Sequence, residues 1–326
     1  MATMRRLRIG MIGAGSHANR VHYPSLASIE EAEIAAICDM NRERLHKTAE
    51  KYGVKSRYVD YREMLEKEEL DAVYVIMPPH HLYDIVVDCL RDGFNVFIEK
   101  PPGITTNQTR SLAWFAERYG CRTMVGFNRR FIPLMRLVKA MVEEKGRINQ
   151  CVSAFYKNLY PEEPPYYRGA VDVLTSDVIH AVDTLRWMGG GEVRRVCSSV
   201  RSLFTEYPNS FNALVEFDGG VVGFLMSNWA AGSRIHTFEM HSKNASAFVN
   251  PDDKAIIYMD NKPEPRVVST FEAAGGSKEF YKYYGFYDEN RHFIECILKD
   301  EEPETCFSDA VKTMELVDQI YRNSIT

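Results

Sequence analysis

The chain has 326 residues, 45% hydrophobic and 26% charged, an ordinary balance for a soluble globular protein with room for two domains. Its 40 Lys and Arg against 45 Asp and Glu give a formal charge of −5, which provides no basic field for nucleic acid and no polybasic membrane anchor. Seven cysteines, an odd number without a Cys-x-x-Cys pair, suit a reducing compartment and leave no thiolate metal site, so no metal is expected.

The N-terminus runs into the first strand without the apolar core of a signal peptide, and no apolar run approaches the ~20 residues that span a bilayer. A cytoplasmic protein with no membrane partner is the expectation. The first informative stretch is Arg8-Ile9-Gly10-Met11-Ile12-Gly13-Ala14-Gly15-Ser16-His17-Ala18. An apolar run that ends in closely spaced glycines and opens a helix is the pattern of a dinucleotide clamp. Gly13 would allow the tight turn, Gly15 the close approach of backbone to a pyrophosphate, and Ala18 the close packing of helix on strand. A plain tight turn is the competing reading.

A helix is expected over 18–28 and a buried strand over 33–38 that ends at Asp39. An acid roughly 20 residues beyond the glycines is placed to accept hydrogen bonds from the adenosine ribose, and its charge favours NAD while Arg42 leaves room for NADP. Asp39 could instead cap the helix expected over 41–52. Strands over 71–77, 94–98 and 122–126 alternate with helices over 81–91 and 105–119, a rhythm that predicts a doubly wound parallel sheet. Ligands in such sheets lie off the C-terminal strand ends. Those ends carry Asp39, Pro78-Pro79-His80-His81, Glu99-Lys100-Pro101-Pro102-Gly103 and Gly126-Phe127-Asn128-Arg129-Arg130. Lys100, between a buried strand and a proline, sits on a stiff loop.

Residues 131–145 form an amphipathic pattern, after which period-two runs over 150–156, 193–202, 212–217, 221–227, 236–241 and 255–259 predict a mostly antiparallel sheet. Helices over 278–299 and 308–323 close the chain. The expected architecture is α/β: a Rossmann dinucleotide-binding domain over 1–127, then an α+β domain over 128–326 with a large open sheet for substrate and oligomerisation.

The glycine turn, Asp39, Glu99-Lys100-Pro101, Met124-Val-Gly-Phe-Asn-Arg-Arg-Phe-Ile-Pro133 and Asp177-Val-Ile-His180-Ala-Val-Asp183-Thr-Leu-Arg-Trp187-Met-Gly189-Gly190 occur in an order and spacing that resembles the Gfo/Idh/MocA oxidoreductases. Within that family, Gly-Phe-Asn-Arg-Arg-Phe and Arg291-His-Phe-Ile-Glu-Cys296 look like the virulence-factor type. The resemblance covers essentially the whole chain. It implies hydride exchange between NAD(P) and a secondary hydroxyl or carbonyl of a sugar, cyclitol or related polyol, in a homodimer or homotetramer built through the C-terminal sheet. A tightly bound NAD used for glycoside cleavage or epimerisation, or a non-catalytic nucleotide sensor, are the rival readings.

Such a reaction needs a base at the substrate hydroxyl and a cation to favour an alkoxide-like oxygen. The resemblance supports His180 as the base and Lys100 as the cation and nicotinamide-side anchor. The implied cofactor contacts are Gly13, Gly15, Ser16, His17, Ala18, Asp39, Pro78, Pro79, His81, Glu99 and Lys100. The chain departs from the family pattern where an Asp usually stands four residues before the His, because Ser176 is there and Asp177 follows. Asp177 is expected either to serve as the site acid or to cap its helix, and Asp183 either to hold the His180 imidazole or to pair with Arg186. A family histidine before the fourth helix is Leu82 here, with His81 beside it. Substrate contacts are expected from Arg129, Tyr160 and Arg168, together with Lys100, Asp177 and His180. Arg129 and Arg130 could meet a carboxylate or phosphate, with Arg130 alternatively paired to an acid across the domain junction. The proline-rich loop bearing Tyr160 and Arg168 could equally be an oligomer contact, and the aromatic run 280–287 is expected to bury against the sheet.

Overall fold

Leu7–Ile12 (β1) is buried along almost its whole length, which suits a strand covered by helices on both faces. The computed structural model, which describes residues 5–325, gives it that place. A π-helical turn, Ala18–His22, leads into α1 (Tyr23–Ala27), followed by β2 (Ala32–Cys38) and α2 (Arg42–Tyr52). Then come β3 (Ser56–Tyr58), α3 (Tyr61–Lys67), β4 (Ala72–Val75), α4 (Leu82–Arg91), β5 (Asn95–Ile98), α5 (Thr106–Tyr119) and β6 (Thr123–Val125). The six strands lie in the order β3-β2-β1-β4-β5-β6, and every pairing is parallel. Strand order reverses beside β1, so the β1 and β4 ends flank the crevice where such sheets take ligands. The β3–α3 pair was not anticipated: three half-exposed residues, Ser56-Arg57-Tyr58, carry no periodicity.

The later chain forms α6 (Pro133–Glu143), β7 (Gln150–Asn158), α7 (Ile179–Gly189), β8 (Val193–Arg201), β9 (Ser210–Phe217), β10 (Val222–Asn228), β11 (Ala230–Ser242), β12 (Ala245–Val249), β13 (Lys254–Met259) and β14 (Arg266–Ser269). These eight strands run β14-β13-β12-β11-β7-β10-β9-β8, antiparallel except for β7 against β10. On β7, Cys151, Ser153 and Phe155 share the face that α7 covers; Cys151 Sγ lies 4.0 Å from the Leu185 carbonyl. The opposite face keeps Met226, Phe248, Tyr258 and Val267 exposed.

Short helices α8 (Thr270–Ala273) and α9 (Phe280–Tyr283) precede α10 (Phe286–Lys299) and α11 (Phe307–Arg322). The single helix expected over 278–299 is thus two, broken at Gly285, whose φ is 86°. A Cβ there would lie 2.4 Å from the Asn128 carbonyl oxygen, so both dihedral and space require glycine. The chain condenses into two compact units. The first is the chain up to Phe127 with Phe280–Lys282 and Phe286–Val311; the second is Asn128–Glu279, Tyr283–Gly285 and the chain from Lys312. Gly285→Ala should lower stability by about 2–4 kcal/mol, read as a reduced urea midpoint. An unchanged midpoint would mean the Asn128–Phe131 turn gives way without cost.

Candidate functional site

In the first unit the site begins where β1 stops. Gly13 has φ 112°, and a Cβ on it would sit 2.3 Å from the Ile76 carbonyl oxygen, so no other residue fits the turn. At Gly15 the position of a Cβ meets no atom within 4 Å. Open space at a glycine that leads into a helix N-terminus is what a pyrophosphate needs, and the turn fits a dinucleotide. Asp39 ties this turn to the end of β2: Oδ2 accepts the Ala14 amide at 2.9 Å, and Oδ1 accepts the Asn41 amide at 2.8 Å. It does not cap α2, since Asn41 Oδ1 accepts the Arg44 amide at 2.9 Å. The guanidinium beside Asp39 belongs to the exposed Arg44, at 2.9 Å, two residues along α2 from Arg42.

Ala18 is buried at the start of the π-helical turn, and Ser16 beside it is exposed. Pro79–His81 forms a 3₁₀ turn after Pro78 and ahead of α4. His81 is exposed and lies 4.1 Å from the His80 ring, whereas Leu82 is buried in α4. Glu99, after β5, is the other fixed point. Its Oε1 is met by His17 Nε2 at 2.8 Å and His22 Nε2 at 2.9 Å, and its Oε2 accepts the Lys100 amide at 3.1 Å. The Asn290 amide nitrogen donates to Phe286 O at 2.7 Å and faces His22 Nδ1 at 3.2 Å, which puts the His22 proton on Nε2, toward Glu99. Burial would push the Glu99 carboxyl up; the two histidines overcome this and hold it well below the usual carboxylate range. Lys100 is half-buried on this loop.

In the second unit the helix carrying His180 begins earlier than expected, with a π-helical turn over Leu174–Val178. A π turn advances less per residue than the α-helix, so straight-helix reckoning of where Asp177 points does not hold. Asp177 lies inside that turn and is not a cap. The residue that caps is Asp172, whose Oδ1 accepts the Thr175 amide at 3.0 Å. The buried Asp177 carboxylate pairs with Lys157 of β7 and accepts the Tyr166 hydroxyl at 2.7 Å. Trp229 Nε1 donates to the Tyr166 oxygen at 3.2 Å, and Lys157 Nζ lies over the rings of Phe155 and Trp229 at 5.2 and 5.3 Å. Burial and the Asp177 charge push the Tyr166 hydroxyl far up, so it stays a donor. His180 is buried in the first turn of α7.

Asp183 does not hold the His180 imidazole. It accepts Arg130 through both oxygens, Nε at 2.7 Å and Nη2 at 2.5 Å, and also Thr313 Oγ1 at 2.8 Å, with Arg186 at 3.7 Å. A bidentate guanidinium is the better partner for a buried carboxylate. The acid that Arg130 meets therefore lies within its own unit. Arg129 is buried over the Tyr284 ring at 4.8 Å, and Phe286 packs against His17 and His22 at 5.7 and 6.1 Å, so the aromatic run does not bury as one block. Tyr160 and Arg168 sit in exposed loop, Tyr160 at 6.3 Å from Phe204, and neither joins the Asp177 cluster.

Residues 7–127 match the family model described as an oxidoreductase family with an NAD-binding Rossmann fold, and residues 135–248 match the Gfo/Idh/MocA C-terminal domain. The chain belongs to the Gfo/Idh/MocA oxidoreductase family. The myo-inositol 2-dehydrogenase of Thermotoga maritima is 27% identical over 91% of this chain and 90% of its own length. Among solved structures, a dehydrogenase from Chromobacterium violaceum superposes with a TM-score of 0.88 at 23% identity, over 98% of this chain and 96% of that one. A levoglucosan dehydrogenase in complex with NADH and levoglucosan gives 0.86 at 19% identity, over 98% of this chain and 97% of its own.

Within this Gfo/Idh/MocA chain, nothing in the sequence reading marks Lys157 or Trp229, whereas Tyr166 lies in the aromatic loop segment 158–168 from which substrate contacts are expected. A signal for Lys157 existed: Cys151, Ser153, Phe155 and Lys157 alternate onto one face, so the lysine continues an inward row. Nothing local marks Trp229, which reaches Tyr166 across 63 positions of sequence.

Burial holds two histidines neutral, His22 below its ordinary value and His236 well below it. A neutral buried histidine costs stability on acidification, because the unfolded chain takes up the proton below about pH 6.5 and the folded one does not. Between pH 7.5 and 5.5 the strongly depressed His236 should cost up to about 1.4 kcal/mol, and the less depressed His22 should cost less. Urea unfolding should show His236→Phe losing less stability than wild type over that interval by about this amount. Equal losses would contradict it.

Proposed function

We propose that this NAD-dependent oxidoreductase acts on a secondary hydroxyl or carbonyl of a sugar, cyclitol or related polyol. The observation that carries the reading is the cluster in which half-buried Lys157 and Tyr166 and buried Trp229 gather on the buried Asp177, which lies on the turn that leads to His180. Charged and proton-bearing groups are costly in a core, and one that gathers them on an irregular helical turn is spending stability on chemistry. The T. maritima relative named for myo-inositol supports the substrate class.

NAD, when bound, supplies the two-electron acceptor or donor. In this proposal Gly13, Gly15, Ser16, His17, Ala18 and Asp39 hold it, with Pro78, Pro79, His81 and Glu99 at the neighbouring strand ends. His180 takes the hydroxyl proton, Lys100 favours the oxygen left behind, and Asp177, fixed by Lys157 and Tyr166, orients the substrate. Arg129 belongs to the substrate contacts; Tyr160 and Arg168 enter only if their exposed loop folds over the ligand. Lys100→Ala and His180→Ala should each lower kcat/KM by about 10²–10⁴-fold while NAD still binds. Turnover within a few-fold of wild type in either variant would remove that residue from the mechanism.

The uncovered face of the second sheet, with Phe248 41%, Tyr258 42% and Val267 52% exposed, is proposed to close a homodimer or homotetramer. Phe248→Asp with Tyr258→Asp should then yield monomers in light scattering, and an unchanged mass would place the interface elsewhere. Seven cysteines free of disulfides suit a reducing compartment, and we place the protein in the cytoplasm. No helix among the described residues is long and apolar enough to cross a membrane.

A further inference from the structure

Two consecutive arginines, both buried, differ in one respect. Arg130, 4% exposed, meets the carboxylate of Asp183 through two hydrogen bonds. Arg129, 8% exposed, has no carboxylate within ion-pair distance among the described residues. Its hydrogen bond goes to the neutral Asn128 Oδ1 at 2.6 Å, its cation lies over the Tyr284 ring at 4.8 Å, and its buried Nε has no partner. An uncompensated buried guanidinium is among the costlier things a fold can keep, and it persists where a ligand completes it.

Its surroundings say what sign of charge the ligand carries. Arg234 donates to the Tyr284 hydroxyl at 2.6 Å and pairs with Asp252 at 2.7 Å. Its guanidinium also lies 5.8 Å from the Phe155 ring, which stacks on His236 at 4.1 Å. Phe155 meets Trp229 edge-on at 5.0 Å, and Lys157 lies over both. One continuous cluster thus runs from Arg129 to the Lys157–Asp177 pair. Within it Asp177 balances Lys157 and Asp252 balances Arg234. His236, buried and with neither ring nitrogen hydrogen-bonded, is held neutral by burial and by the Arg129 charge. Among these groups of the second unit, Arg129 is the cation left without a carboxylate.

We propose that the polyol substrate carries one carboxylate and that Arg129 binds it, making this an oxidoreductase of sugar acids such as aldonic or uronic acids. A single planar anion matches the fork of a guanidinium, which is why a carboxylate is preferred here to a tetrahedral phosphate ester. The inference rests on the polyol reading above and narrows it.

The test compares matched substrates with the full-length enzyme and NAD: glucose and myo-inositol, gluconate, glucuronate and galacturonate, and glucose 6-phosphate, read as reduced nicotinamide absorbance. The expected result is a kcat/KM at least about 30-fold higher for an acid than for its neutral counterpart, with that ratio collapsing in Arg129→Gln. Higher turnover of the neutral sugar overturns the carboxylate and leaves the polyol reading standing, and preference for the phosphate ester overturns the choice of anion. Turnover of none of the three classes sinks the polyol reading itself. Thermal unfolding of ligand-free Arg129→Met is an independent readout. Loss of an unbalanced buried charge should leave Tm unchanged or raised, and a fall of several degrees would mean that Arg129 is structurally paired.

Discussion

A carboxylate removed from water has to be paired, and in the second unit Asp177 is the one around which the polar groups assemble. It lies in a π-helical turn, receives Lys157 from the central strand β7 and the hydroxyl of Tyr166, and through Tyr166 engages the buried Trp229. Each partner comes from a different part of the chain, so the ion pair fixes loop, helix start and sheet together. The same unit satisfies its other buried acid, Asp183, in a bidentate pair with Arg130. That leaves Arg129 as the charge the fold does not balance.

The first unit applies the same rule to a different end. Asp39 and Glu99 are both almost fully buried, and both are tied to the glycine turn: Asp39 through the Ala14 amide, Glu99 through His17. The turn's shape follows from Gly13, where no side chain fits, and its emptiness from Gly15, beside which there is nothing. A turn held by acids, with open space beside Gly15 at the start of a helix, meets the physical requirement for a dinucleotide.

The parallel sheet was legible because its strands are continuous apolar runs and its punctuation is local: Gly13, Asp39 and Lys100 each close a strand. The antiparallel sheet was legible in outline, though β12 and β14 were missed; Ala245–Val249 and Arg266–Ser269 are short. The site was legible where a residue's role depends on its neighbours in sequence and illegible where it depends on contacts. Asp177 was identified, but the π turn that changes its direction and the Lys157 that receives it are three-dimensional facts. Arg44 beside Asp39 where Arg42 was expected, and Arg130 joining the anticipated Arg186 on Asp183, are misses of the same kind. Spacing selects a helix face, and tertiary competition selects the partner.

We propose that the substrate reacts at the cluster around Asp177. The most direct measurement is steady-state turnover of the best polyol substrate by Lys157→Met, with NAD affinity measured in parallel. The expected result is a kcat/KM reduced by about two orders of magnitude, with the NAD dissociation constant unchanged. Turnover within a few-fold of wild type would contradict it and leave the buried cluster as architecture alone.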